Sequence, residues 1–181
     1  MNALALEDRV HRLSTAEYER MVGAGALDEL RVELLDGLLV DMSPQTEDHV
    51  EVIRRLMRLC AARMDLLRVQ APLSVAEGWV PEPDVALAEH DPHRRGHPST
   101  ALLVVEVAVS SQAVDRSKAA VYASAGIPRY WLVDLPARNV LEHTEPRPDG
   151  YARVVHLAGA DALDAGVEGV ATTTVAALLD L

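Results

Sequence analysis

The fold is decided by residues 101–109, which read Ala101-Leu102-Leu103-Val104-Val105-Glu106-Val107-Ala108-Val109. A continuous apolar run of this length is typical of a central strand that is buried on both faces. Glu106 interrupts the run, and an unpaired carboxylate in such a strand costs several kcal/mol or takes up a proton. We therefore expect Glu106 to have a compensating partner.

The segment before this run supplies a second carboxylate. Pro81-Glu82-Pro83 excludes a helix, residues 84–89 have strand character, and a polar loop at residues 90–100 separates the two predicted strands. If these strands pair antiparallel around a loop centred near Arg95, Asp84 lies opposite Glu106, with Cβ atoms about 5 Å apart. Two such carboxylates suit a divalent cation, above all Mg²⁺. In the alternative interpretation, Asp84 only begins a strand and Glu106 pairs with an arginine.

The helix predicted after the central strand carries Lys118, the only lysine among 17 basic residues. A strand followed directly by a helix folds that helix back over the sheet, so the ammonium can approach the two carboxylates. A lysine can bind a phosphate oxygen, hold an attacking water and change its protonation state, whereas arginine does the last two poorly. The alternative is a lysine that lies by chance on a solvated helix face.

The remaining elements extend in both directions from this centre. Ser14 and Glu17 have capping-box spacing before a short helix, and Asp36-Gly37 separates two strand-like runs in a predicted hairpin. Further helices are predicted at residues 46–67, 113–125 and 174–179, and further strands within residues 68–80 and at residues 129–134, 140–143 and 151–157. This order indicates a mixed α/β (α+β) fold. We expect one domain over residues 1–181, with residues 1–13 loosely ordered.

Composition excludes several classes of protein. The single cysteine, Cys60, rules out an internal disulfide and is predicted to be a buried, inert thiol. Because there is neither a membrane-length apolar run nor a signal-peptide core, we expect a cytoplasmic protein. A net charge of −11 disfavours passive binding of nucleic acid, although it permits an enzyme whose site carries a cation. Phosphate loops of Walker spacing and the serine-hydrolase elbow are absent from the sequence.

A combination of short motifs resembles a known family. These motifs are Val32-Glu33-Leu34-Leu35-Asp36-Gly37, Met42-Ser43-Pro44, Pro83-Asp84, Val105-Glu106-Val107, Asp115-Arg116-Ser117-Lys118 and Tyr122-Ala123-Ser124-Ala125-Gly126-Ile127-Pro128-Arg129-Tyr130-Trp131-Leu132-Val133-Asp134. Together with His49 they resemble the Uma-two family of the PD-(D/E)xK nuclease superfamily, over roughly residues 14–157. The resemblance implies a restriction-endonuclease-like fold, in which helices flank a central mixed β-sheet.

The same resemblance implies roles for individual residues. Asp84 and Glu106 would be metal ligands, the main-chain carbonyl of Val107 a third ligand, and Lys118 the catalytic lysine. The superfamily lysine usually stands two residues after the acid, where this chain has Ala108. In the family resembled here, the lysine is moved to the next helix, which matches Lys118. Ser110-Ser111 also departs from the family's serine-proline pair, which should affect the turn more than the metal.

Other residues are candidates for a supporting role. Glu33 could approach the metal or its water, or it could be an exposed strand residue paired with Arg31. His49 could contact a phosphate or fix the wall of the site, or have a local role at the start of a helix. Arg94 and Arg95 are candidate phosphate contacts despite the negative net charge. The nearby cluster of His90, Asp91, His93 and His97 is better explained as a solvated loop than as a zinc site.

These observations lead to one main expectation and one alternative. We expect a Mg²⁺-dependent endonuclease, with Mn²⁺ as a substitute metal, that hydrolyses phosphodiester bonds in DNA. A homodimer is expected if both strands of a duplex are cut. The alternative is a noncatalytic domain that binds nucleic acid or protein on a nuclease-like scaffold.

Overall fold

The computed structural model describes residues 10–89, 93, 96–109 and 112–180. In chain order the elements are α1 (Thr15–Gly23), β1 (Val32–Leu35), β2 (Leu38–Asp41), α2 (Glu47–Leu59), a short 3-10 helix (Ala61–Arg63), β3 (Leu67–Val69), β4 (Val85–Leu87), β5 (Leu103–Ala108), α3 (Gln112–Ser124), β6 (Arg129–Asp134), β7 (Asn139–Arg147), β8 (Gly150–Ala158), β9 (Ala162–Leu163), β10 (Thr173–Thr174) and α4 (Val175–Leu179). The longest helices, α2 and α3, have 13 residues each. Within the described ranges, no helix combines the length and apolar character that a membrane span requires.

Six strands form the central sheet in the order β3-β4-β5-β6-β7-β8. Strands β5 and β6 run parallel, whereas the other neighbouring pairs in this sheet are antiparallel. Helix α3 makes the crossover that a parallel pair requires. The predicted mixed sheet flanked by helices is therefore confirmed. Two smaller antiparallel pairs, β1 with β2 and β9 with β10, lie outside it.

Strands β4 and β5 pair in the register that the sequence predicts. Val85 lies opposite Val105, and Leu87 lies opposite Leu103. The next position of this register brings Asp84 opposite Glu106, at the point where the ladder between the two strands ends. The predicted register is therefore confirmed for the three paired positions of β4.

The central strand β5 is buried on both faces, as its sequence indicates. Val105 and Val107 pack into the core formed with α2 and α4, whereas Val104 and Ala108 pack into the core on the side of Tyr122 in α3. Side chains alternate between the faces of a strand. Glu106 therefore belongs to the face that α3 covers.

The hairpin of β1 and β2 turns at two residues with positive φ, Asp36 at 52° and Gly37 at 73°. This pair of conformations forms the turn that best matches the twist of a two-residue hairpin. A Cβ atom on Gly37 would lie 2.6 Å from the Cβ of Arg12, so the close approach of the two segments also requires glycine. The predicted hairpin is confirmed, and it carries Glu33 towards the central sheet.

Helix α2 is shorter than the sequence predicts. It ends at Leu59, and a 3-10 helix follows, so the prediction of one helix over residues 46–67 is wrong. Leu67 instead pairs with Leu87 at the edge of the central sheet. Val50 and Met64, two of the apolar residues whose spacing suggests the longer helix, are 41% and 61% exposed. Pairing with β4 outweighs the continuing helical periodicity, because burial and sheet hydrogen bonds override local propensity.

Candidate active site

Asp84 lies one residue before β4, where the main-chain pairing of β4 with β5 ends. There its side chain, and not its main chain, accepts a hydrogen bond from β5. Its Oδ2 accepts a hydrogen bond from the main-chain N–H of Val107 at 2.8 Å. The same oxygen lies 3.1 Å from Nε2 of His49, in the first turn of α2, and Oδ1 lies 3.5 Å from Nε2 of Gln70. Contacts from three different segments thus hold the carboxylate of Asp84 in place.

Lys118 joins two acidic residues that are far apart in the sequence. Its Nζ lies 3.1 Å from Oε1 of Glu106 and 2.9 Å from Oε2 of Glu33. The lysine is only 3% exposed, and each of these glutamates is 5% exposed. The alternatives of a solvated Lys118 and an exposed Glu33 are therefore wrong.

Tyr122 is part of the same cluster, although the sequence analysis placed no functional residue there. Its hydroxyl donates a hydrogen bond to Oε1 of Glu106 at 2.9 Å. Burial, followed by the nearby charge of Glu106, raises the pKa of the Tyr122 hydroxyl well above its usual value, so the hydroxyl stays protonated and remains a donor. The available signal was the spacing of Lys118 and Tyr122, because residues four apart share one face of a helix.

Glu82 is a second residue that the sequence analysis passed over. Its main-chain N–H donates to Oε2 of Glu33 at 3.1 Å, which ties the hairpin to the segment that precedes β4. Burial, and then repulsion from Glu33, raises the pKa of the Glu82 carboxyl. The signal in the sequence was an acidic residue between Pro81 and Pro83, two positions before Asp84.

These side chains surround a cleft of about 130 Å³. The exposed side chains of Arg31, Asp41 and Ser43 lie at its rim, so the cleft opens to solvent. Its lining also includes four acidic residues, one histidine and one lysine: Glu33, Glu82, Asp84, Glu106, His49 and Lys118. The lining thus carries four carboxylates around a single ammonium group, an arrangement that attracts further positive charge.

The structure brings together most of the residues that the sequence predicts for the site. Asp84, Glu106, Lys118, Glu33 and His49 line the cleft, and so does Val107. The predicted substrate contacts Arg94 and Arg95 lie outside the described residues. The ligand and substrate roles of all these residues stay predictions.

Comparisons with known proteins agree with this architecture. The Uma-two family model, described as "Putative restriction endonuclease", matches residues 15–176. Among solved structures, the chain is similar to a protein from Anabaena variabilis described as "a putative nuclease belonging to DUF820". The two share 13% sequence identity with a TM-score of 0.67, over 82% of this chain and 89% of the other, which shows a common fold. A search of curated proteins found no match.

Proposed function

Because the chain belongs to the Uma-two family of restriction endonuclease-like proteins, we propose that it is a metal-dependent endonuclease that hydrolyses phosphodiester bonds in DNA. One observation carries this proposal: Asp84, Glu106 and Lys118 meet in a single solvent-accessible cleft. Two carboxylates and an ammonium group supply what such a reaction needs, namely a cation site and a donor for the phosphate or the attacking water.

The donor atoms of the cleft fit a divalent cation. Carboxylate and carbonyl oxygens are the ligands that Mg²⁺ prefers, and Mg²⁺ usually keeps several waters. Within the described part of the chain, no group of three or more His, Cys, Asp or Glu side chains is arranged to hold an ion. We propose Asp84, Glu106 and the carbonyl of Val107 as ligands, as the family resemblance implies, completed by water or substrate oxygens. Bound Mg²⁺, or Mn²⁺ in its place, would polarise the phosphate and stabilise charge on the leaving oxygen.

Lys118 is the proposed catalytic residue that orients the attacking water or a nonbridging phosphate oxygen. Its ammonium is held by Glu33 at 2.9 Å and by Glu106 at 3.1 Å, so its position in the cleft is fixed. Glu33 therefore acts through Lys118, as a positioning residue. Lys118 is only 3% exposed and lines the cleft, so the cleft gives a substrate access to it.

His49 is the proposed positioning residue for Asp84. Its Nε2 lies 3.1 Å from Oδ2 of Asp84, and the imidazole is itself buried. Partners that hydrogen-bond a metal ligand orient it, and their loss typically costs about 10–100-fold in metal affinity or activity. Contacts to the phosphate backbone are assigned to Arg94 and Arg95, as the sequence suggests.

A cleavage assay on circular plasmid DNA tests the proposal, because a substrate without ends reports only endonuclease activity. Linear duplex DNA, single-stranded DNA and RNA, each with Mg²⁺, Mn²⁺ or EDTA, identify the substrate. We expect cleavage that requires the metal and is lost in Asp84→Asn and Lys118→Met, but not in Arg54→Met, a change on the exposed face of α2. Cleavage that survives both site variants would refute the proposal.

The net charge of −11 favours one alternative, a noncatalytic interaction domain on the same scaffold. That alternative predicts no cleavage of any substrate and no binding of Mn²⁺ in a calorimetric titration.

We further propose a homodimer for cutting both strands of a duplex. Light scattering during size-exclusion chromatography measures the mass directly, and a monomeric mass in the presence of duplex DNA contradicts this part of the proposal.

A further inference from the structure

We propose that Tyr122 is a positioning residue that holds the carboxylate of Glu106 in the orientation required for metal binding. This inference rests on the proposed function and adds a residue to it. Two donors meet at one oxygen of Glu106: its Oε1 accepts a hydrogen bond from the hydroxyl of Tyr122, at 2.9 Å, and another from the ammonium of Lys118, at 3.1 Å.

Both donors come from the same face of helix α3, one turn apart. Glu106 stands on strand β5, so the helix and the strand are joined at this oxygen by two hydrogen bonds. Two donors from one rigid element leave the carboxylate little rotational freedom. A ligand that is held in one orientation before the ion arrives does not have to be ordered during binding.

The hydroxyl of Tyr122 is itself held in place by the core. Tyr122 is completely buried, and its ring centroid lies 5.2 Å from that of Tyr130. Tyr130 packs in turn against His143 and Tyr151, with ring centroids 5.0 Å and 6.5 Å away. The position of the donor is therefore set by aromatic packing below the cleft, and not by solvent or by the substrate.

Tyr151 offers a matched comparison within the same aromatic cluster. Its hydroxyl also donates one hydrogen bond, at 2.8 Å, but the acceptor is the main-chain carbonyl of Ile127. Tyr151 does not line the cleft. Replacing either tyrosine by phenylalanine keeps the ring and removes one hydroxyl and one hydrogen bond, but only Tyr122→Phe removes a contact to Glu106.

The experiment compares Tyr122→Phe with Tyr151→Phe in the full chain. Mn²⁺ binding is measured by isothermal titration calorimetry, thermal unfolding is recorded in EDTA, and cleavage is followed under single-turnover conditions. We expect both variants to unfold cooperatively, with similar losses in Tm. We expect the Kd for Mn²⁺ to rise about 10–100-fold in Tyr122→Phe and to remain within about twofold of the wild type in Tyr151→Phe.

Three results would overturn the inference. If wild-type protein binds Mn²⁺ and cleaves DNA, and Tyr122→Phe binds Mn²⁺ equally well, the inference fails while the proposed function stands. If both variants lose the same Mn²⁺ affinity, the effect comes from a loosened core and the positioning role is wrong. If the wild type neither binds Mn²⁺ nor cleaves nucleic acid, the proposed function fails and the inference fails with it.

Discussion

Replacing Lys118 by methionine removes a buried charge while keeping a side chain of similar length. The ammonium lies about 3 Å from an oxygen of Glu33 and from one of Glu106, and at an effective dielectric constant of about 20 each attraction amounts to about 5 kcal/mol. Entry of water and uptake of a proton by the carboxylates offset part of this loss. Breaking a buried ion pair from one side typically costs about 3–5 kcal/mol. Because the cleft opens to solvent, we expect the lower end, about 3 kcal/mol.

Equilibrium unfolding in urea, in the presence of EDTA, measures this loss directly. Arg54→Met is the matched control, because Arg54 pairs with Glu51 at 3.5 Å while its side chain is 64% exposed; a pair of this kind contributes at most about 1 kcal/mol. The double variant Glu33→Gln with Lys118→Met should recover part of the stability, since one of the two uncompensated charges is then gone. A loss below about 1 kcal/mol in Lys118→Met would refute the buried network.

Two further predictions concern residues around the site. Because burial and repulsion from Glu33 raise the pKa of the folded-state Glu82 carboxyl, Glu82→Gln should stabilise the protein at pH 8, measured as a rise in Tm. This gain in stability should shrink as the pH falls through the raised pKa. It should vanish below the unfolded-state pKa, because Glu82 is then protonated in both the folded and the unfolded state. A gain in stability that persists at pH 3.5 would contradict this explanation. Gly37→Ala should cost about 1–3 kcal/mol in urea unfolding, because Gly37 has a φ of 73° and the added Cβ would meet Arg12. Gly23→Ala, at a position with open space around it, should be neutral or slightly stabilising, and equal effects of the two changes would refute the steric argument.

The centre of the fold could be predicted because its physical constraints are local. A single acidic residue in an apolar run requires a compensating partner, and two strands around a short loop have few registers. With a loop centred near Arg95 they predict a register in which Asp84 would follow opposite Glu106, and the pairing of Val85 with Val105 agrees with that register. The turn at Asp36 and Gly37 was predictable for a similar reason, because few residue pairs adopt its backbone angles.

The remaining features depend on contacts between distant parts of the chain. The apolar periodicity of α2 continues past Leu59, but the pairing of Leu67 with Leu87 decides where the helix ends. Tyr122 was predicted only as part of a helix, since the role of its hydroxyl depends on how α3 docks on β5. The raised pKa of Glu82 similarly depends on its proximity to Glu33, which the hairpin brings from a point 49 residues earlier in the chain. Sequence periodicity carries no information about such distances.

The central claim, a divalent cation held between Asp84 and Glu106, is tested most directly by a crystal structure of the protein with Mn²⁺. Anomalous scattering locates the ion independently of the protein coordinates. We predict one strong peak within about 2.5 Å of a carboxylate oxygen of each residue, and no such peak in Asp84→Asn. An empty cleft at a saturating Mn²⁺ concentration, or a peak that excludes both carboxylates, would contradict the account.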